Sequence, residues 1–243
     1  MAVLEAEGVS KRFGGLQAVA EASLRVEPGR ITALIGPNGA GKTTLFAMIS
    51  GFLRPDSGSI RFDGREITGL AAHRVCRLGL VRTFQIVQPF AGLTVRENIA
   101  VGGHLKEPDR GRALAAAAAI ARQLGMEAML DAPAQSLTVA GRKRLELARA
   151  LATQPRLLLL DEVMAGLIPT EVSEIVAVIR AIRDAGVDIL LIEHVMQAVM
   201  SLSDDVYVLN NGRIIAHGAP GEIAANGDVI EAYLGQGAAH ARG

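Results

Sequence analysis

Apolar and polar positions alternate roughly over residues 3–9 and 23–26, the period-two pattern of half-buried strands, and Pro28-Gly29 supplies a turn behind them. Residues 30–35 (RITALI) form a mostly apolar run, the pattern of a strand buried on both faces. A glycine-rich stretch follows, and residues 42–49 then read as a helix. Residues 55–64 (PDSGSIRFDG) read as turn, strand and turn. The stretch from about 70 to 153 reads as mostly helical. Thr94 is the candidate N-cap of one helix, with Glu97 at capping-box spacing, an alanine-rich helix covers 110–124, and a third covers 141–153. Strands then return. Residues 156–160 and 187–192 are apolar runs around an amphipathic helix at 170–183, with Val172, Ile175, Val176, Ile179 and Ile182 on one face. Asn210-Asn211-Gly212 is a hairpin signal between strands at 206–209 and 213–216, and the last residues (GQGAAHARG) read as a frayed end. The pattern predicts an α/β core interrupted by a helical insertion.

Composition narrows the function classes. Twenty-five basic residues balance 25 acidic ones, and aromatics make up 3% with no tryptophan. A chain-wide basic footprint and stacking platforms for nucleic acid are therefore not expected. Cys76 is the lone cysteine of the chain, so no disulfide framework or Cys-based zinc site is expected. No apolar run approaches the roughly 18 residues of a membrane span, and the N-terminus lacks the pattern of a secretory signal.

Two motifs carry chemistry. Residues 36–43, GPNGAGKT, match G-x-x-x-x-G-K-[ST] between a predicted strand and a predicted helix. The glycines let backbone N–H groups close around phosphate oxygens, and the following helix adds its positive N-terminus. Candidate nucleotide-binding residues are Gly36, Pro37, Asn38, Gly39, Ala40, Gly41, Lys42, Thr43 and Thr44. Lys42 is placed to meet the β- and γ-phosphates, and the Thr43 hydroxyl to ligate Mg²⁺. Residues 157–162, LLLLDE, end a buried strand in two acids. Alone they read as solvated acids at a strand end. Beside a phosphate loop, Asp161 fits Mg²⁺ ligation through water, and Glu162 fits polarising a water for attack on the γ-phosphate. The long interval between Lys42 and Asp161 exceeds what small switch-type GTPases need.

With these motifs in order, the chain resembles the ATP-binding cassette (ABC) family. The further carriers are Gln85 in TFQ, His194 in IEH after VDILLI, residues 137–151 (LTVAGRKRLELARAL) and Phe13 in KRF. RTFQ at 82–85, LTVRENIAVG at 93–102, LLLLDEVMAGL at 157–167 and GDVIEAYLG at 227–235 are most similar to the longer ATPase subunit of branched-chain amino-acid importers. The resemblance implies one cassette. Residues 1–85 and 155–235 make an α/β P-loop core, a mixed sheet flanked by helices with an antiparallel β subdomain, 86–154 an inserted helical subdomain, and 236–243 a frayed tail. It implies ATP and Mg²⁺ as ligands, with Gln85 joining Thr43 and Asp161 at the metal and Phe13 stacking on adenine. His194 would meet the γ-phosphate, and Thr138, Ala140 and Gly141 would face the nucleotide of a second ATPase subunit. Glu162, His194, Gln85 and Lys42 form the implied catalytic set. Implied partners are membrane permease subunits, a head-to-tail second ATPase subunit that is either a second copy or a distinct chain and, indirectly, an extracytoplasmic solute-binding protein. The implied location is cytoplasmic, on the inner face of the membrane. Arg142, Lys143 and Arg144 read as a solvated helix face.

Two segments depart from the family pattern. Ala140 and Gly141 stand where the signature Leu-Ser-Gly-Gly-Gln has glycine and glutamine, and Ile168 stands where Asp or Asn is usual. These departures leave a second reading, a regulatory nucleotide-binding module with little hydrolysis. A third is a non-transport ABC ATPase, which would call for coiled coils, zinc modules or a second cassette.

Overall fold

Three apolar runs become the centre of a six-stranded sheet in the computed structural model, which describes residues 2–83 and 88–240, with side chains as far as Tyr233 in the last helix. Gln85 lies outside the described residues. The central strands are β3 (Ile31–Ile35), β7 (Leu157–Asp161) and β8 (Asp188–Ile192), and every residue in them is buried. With β6 (Leu80–Arg82), β9 (Asp205–Asn210) and β10 (Arg213–Gly218), they form the order β10-β9-β3-β8-β7-β6. All neighbours are parallel except the β9-β10 hairpin.

Side chains alternate across a strand, so these runs serve two cores. Ile31, Ala33, Ile35, Leu158, Leu160, Ile189 and Leu191 join one cluster, with the helical part of the chain. Leu34, Leu157, Leu159, Leu190 and Ile192 join the other, with α1 (Lys42–Ile49) and an antiparallel sheet. That sheet holds β1 (Leu4–Phe13), β2 (Leu16–Val26), β4 (Ser57–Phe62) and β5 (Arg65–Glu66), in the order β2-β1-β4-β5.

β1 and β2 extend well beyond the residues where alternation is legible. Register shifts between Ala6 and Val9 and again near Lys11, with Gly8 at φ 59°, break the period-two pattern while pairing continues. β6 likewise interrupts a stretch expected to be helical. Three residues are too few to show a period, and the strand is held by its parallel pairing with β7.

The helices match their sequence signals closely. Between α2 (Ala72–Leu78) and β7 lie α3 (Val95–Gly103), α4 (Arg110–Gln123) and α5 (Val139–Ala152). Thr94 and Glu97 form the expected capping box on α3, with Glu97 N–H donating to Thr94 Oγ1 at 3.2 Å and Thr94 N–H to Glu97 Oε2 at 3.0 Å. Ala113, Ala117 and Ala121 of α4 face inward at i, i+4 spacing, and their small side chains let the helices approach closely. On α6 (Pro169–Asp184), Ile175, Ile179 and Ile182 are buried, and Val172 and Val176 pack beside them. Each such isoleucine contributes roughly 1.5–3 kcal/mol by leaving water. The chain closes with α7 (Met196–Leu202), α8 (Pro220–Ala224) and α9 (Gly227–His240). α9 runs through most of the end expected to be frayed. No helix among the described residues is long and apolar enough to cross a membrane.

A candidate nucleotide site beside the phosphate loop

β3 delivers the chain into the loop at Gly36, and α1 takes it away at Lys42. The loop is shaped by backbone on both sides. Gly36 has φ 148°, and a Cβ there would collide with the Leu209 carbonyl of β9. Gly41 has φ 105°, and a Cβ there would meet the Ala18 carbonyl. The β9-β10 turn supports the loop from behind, with Gly212 N–H donating to Ala40 O at 2.9 Å and Ala20 N–H donating to Gly212 O at 2.8 Å. α1 starts without a side-chain cap, so its first N–H groups remain for a ligand.

The loop forms one wall of a cleft of about 620 Å³. Asn38, Gly39, Ala40, Gly41, Lys42, Thr43 and Thr44 line it. Opposite stand Phe13, Leu16, Gln17 and Ala18 from the β1-β2 hairpin, with Phe13 about half exposed, as a ring offered to a flat ligand must be. Asn211 and Gly212 close another side, and Glu162 faces in from the end of β7. Asn211 and Gly212 read as a turn in the sequence, and nothing local marks them as cleft wall. Gly36 and Pro37 lie buried behind the lining. His194, on the segment after β8, is exposed and is not among the residues lining the cleft.

The charged groups are arranged tightly. Lys42 is buried, and its ammonium donates to Gly36 O at 2.7 Å and Pro37 O at 2.9 Å. Burial lowers its pKa, and Glu162 and Asp161 oppose that shift. The lysine thus lies folded on the loop carbonyls, within the field of both acids. Asp161 is buried at the end of β7, and Arg82 Nη2 donates to its Oδ2 at 2.7 Å. Glu162 has a left-handed backbone, φ 50°, held by its N–H donating to Ile192 O at 2.9 Å. Such strain, roughly 1–3 kcal/mol in a residue with a Cβ, concentrates where a side chain must be aimed.

Lys143 also reaches this corner. Its ammonium donates to Glu162 O at 3.2 Å, and the side chain is buried. The expected solvated face at 142–144 is therefore corrected. Arg142 donates to Leu137 O and Gln135 O, and Arg144 pairs with Glu174. A run of charges indicates a solvated face only when no carbonyl or carboxylate lies within reach of its long stems.

Thr138 is the N-cap of α5, and its hydroxyl accepts from Gly141 N–H at 3.1 Å. Ala140 is buried, Gly141 is pressed against Leu137, and Val139 is more than half exposed. Ile168 caps α6 without a side-chain bond, and Glu171 Oε2 accepts from its N–H instead. From α9, Tyr233 lies beside the Gly36 N–H, while burial pushes its phenol up.

A cation held here by Thr43 and Asp161 would have hard oxygen donors. Among the described residues no cluster of three His, Cys, Asp or Glu could complete its shell, so phosphate oxygens and water would. That donor set suits Mg²⁺, which keeps waters and binds through few carboxylates plus phosphate.

Residues 19–165 match the ABC transporter family model. The chain belongs to the ABC transporter family. Residues 213–239 of the cassette match a second model, described as branched-chain amino acid ATP-binding cassette transporter, over the segment from β10 into α9. The cassette is similar to the high-affinity branched-chain amino acid transport ATP-binding protein BraF of Pseudomonas aeruginosa, at 42% identity over 96% of this chain and 98% of BraF. It is 41% identical to LivG of Escherichia coli, which carries the same description, over the same shares of both chains. Among solved structures, an ATP-binding cassette of an ABC transporter in its ADP conformation superimposes with a TM-score of 0.89 at 32% identity, covering 97% of this chain and 99% of that one. A nucleotide-free cassette gives 0.88 at 31% identity, covering 96% and 99%. The α/β fold with its added antiparallel sheet and the ATP-binding character expected from the motifs are those of this family.

Proposed function

We propose that this cassette is the ATP-binding and hydrolysing subunit of an importer of branched-chain or related amino acids, acting through separate membrane permease subunits. One observation carries the hydrolytic part. Glu162, distant in sequence, lines the same cleft as Lys42 and Thr43 and is aimed there by a strained backbone. The amino-acid part rests on the likeness to BraF and LivG and on the match over residues 213–239.

In this reading ATP lies with adenine on Phe13 and its phosphates against the N–H groups of residues 36–44. Lys42 leaves the carbonyls of Gly36 and Pro37 for the β- and γ-phosphates. Thr43, Gln85 and, through water, Asp161 would hold Mg²⁺, which would neutralise phosphate charge when bound. Glu162 orients the attacking water, and His194 meets the γ-phosphate. Because His194 stands outside the cleft lining, that contact requires a rearrangement on closure. Thr138, Ala140 and Gly141 of a second ATPase subunit complete the site from the opposite side. The permease pair places the cassette at the inner face of the membrane, and an extracytoplasmic solute-binding protein supplies the amino acid.

The test is uptake of leucine into proteoliposomes holding the permease subunits, the binding protein and, where it is a distinct chain, the second ATPase subunit, with and without this chain. Uptake that needs both the chain and internal ATP supports the reading. Equal uptake without the chain overturns it.

A further inference from the structure

A carboxylate taken out of water requires a partner, and Asp161 has one whose position is informative. Its side chain is 5% exposed, and that of Arg82 is 8% exposed. Arg82 Nη2 donates to Asp161 Oδ2 at 2.7 Å, which leaves Oδ1 for a metal-bound water. Thr83 adds a second tie, as the Asp161 N–H donates to Thr83 Oγ1 at 3.2 Å and the Thr83 N–H donates to Leu159 O at 2.9 Å. Arg82 ends β6, opposite Leu159 of β7, so its side chain reaches forward along the neighbouring strand to the acid. Its guanidinium also lies over the rings of Phe46 and Phe52, 5.9 and 6.0 Å from their centroids. Phe46 belongs to α1, the helix that the phosphate loop opens. One buried cation therefore touches the end of β7, the phosphate-loop helix and the strand that leads towards Gln85.

The simpler reading is an ion pair that only holds the sheet together. Buried pairs serve that purpose poorly, since an apolar pair of the same volume is often as stable or more so. What the charged bond adds is orientation: the Nη2–H donated to Oδ2 at 2.7 Å, with the Thr83 tie at the Asp161 N–H, favours one placement of the carboxylate.

We infer that Arg82 is a positioning residue for the divalent cation of the nucleotide site: it fixes the Asp161 carboxylate and ties it to the strand preceding Gln85. The inference rests on the Mg²⁺·nucleotide reading above. Groups that orient a metal's ligands typically change metal affinity by about 10–100-fold when removed.

Calorimetry of ADP binding to the purified chain, in Mg²⁺ and in EDTA, tests it without reference to turnover. The wild type is expected to bind ADP more tightly with Mg²⁺. In Arg82→Met that gain shrinks by about tenfold or more, while affinity in EDTA stays at the wild-type value. Arg82→Lys restores the charge without the fork and recovers part of the gain. If Arg82→Met does not fold, the comparison of Arg82→Lys with wild type carries the test, with a reduced gain expected. A folded variant of either kind that keeps the full Mg²⁺-dependent gain overturns the role of Arg82. A wild type without any Mg²⁺-dependent gain overturns the metal reading itself, and the inference with it.

Discussion

Two helices, α1 and α5, begin at the segments that the family resemblance assigns to nucleotide, and they begin differently. α1 starts from a left-handed glycine with no side-chain cap, and the chain surrounds that end with Phe13, Asn211 and Glu162. α5 starts from Thr138, which spends its hydroxyl on Gly141 N–H, and the neighbouring Val139 faces solvent. Both ends carry the partial positive charge of a helix N-terminus. Among the described residues, the first end is walled by the β1-β2 hairpin, the β9-β10 turn and the end of β7. A helix N-terminus is a stronger anion site when other elements exclude water around it, and in the proposed reading α5 completes its site only with a second ATPase subunit.

The contrast can be broken most severely at Lys42. Lys42→Ala removes charge-assisted bonds worth roughly 1.5–3 kcal/mol, so ATP affinity measured by calorimetry should fall about tenfold or more while the fold persists. The loop itself is next. Gly36→Ala places a Cβ against the Leu209 carbonyl in a backbone region that favours glycine. A loss of roughly 2 kcal/mol is expected, read as a lower denaturation midpoint. At α5, Thr138→Ala should cost about 1 kcal/mol through the lost cap, again by denaturation, with nucleotide binding to the isolated chain unchanged. Ile168→Asn should do the reverse at α6. It supplies the missing side-chain cap and gains about 1 kcal/mol, seen as a higher melting temperature.

The smallest effect depends on pH. Glu193 is buried beside Met164, whose N–H donates to it at 2.9 Å, and burial raises its pKa. A carboxyl whose folded pKa is raised favours the folded state at low pH, and that contribution is lost as pH rises through the folded pKa. Glu193→Gln keeps an acceptor for Met164 and removes the titration. The variant should therefore gain melting temperature relative to wild type as pH rises above the ordinary carboxylate range, and a difference that does not change with pH would contradict the assignment.

Much of this arrangement is legible in the sequence because single residues or short runs determine it. Strands buried on both faces appear as apolar runs at β3, β7 and β8, and the phosphate loop appears because its geometry demands glycine and lysine at fixed spacing. What is not legible depends on tertiary partners. Lys143 and Arg82 look like any surface charge until Glu162 O and Asp161 Oδ2 are placed beside them. Asn211-Gly212 reads as a turn, yet its second task is to back Ala40. The bulges of β1 hide a strand from a period-two pattern. The roles proposed for Thr138, Ala140 and Gly141 rest on resemblance alone, because within one chain Thr138 is simply the cap of α5.

In the proposed reading one subunit carries the phosphate loop and Glu162, and a second subunit closes the site. The most direct measurement is ATP turnover per subunit as the concentration of purified chain is raised, with Glu162→Gln alongside. The expected rate climbs with concentration in the wild type and stays at background in the variant, lower by about 10²–10⁴-fold at the plateau. A rate per subunit independent of concentration, or a variant as fast as wild type, would contradict it.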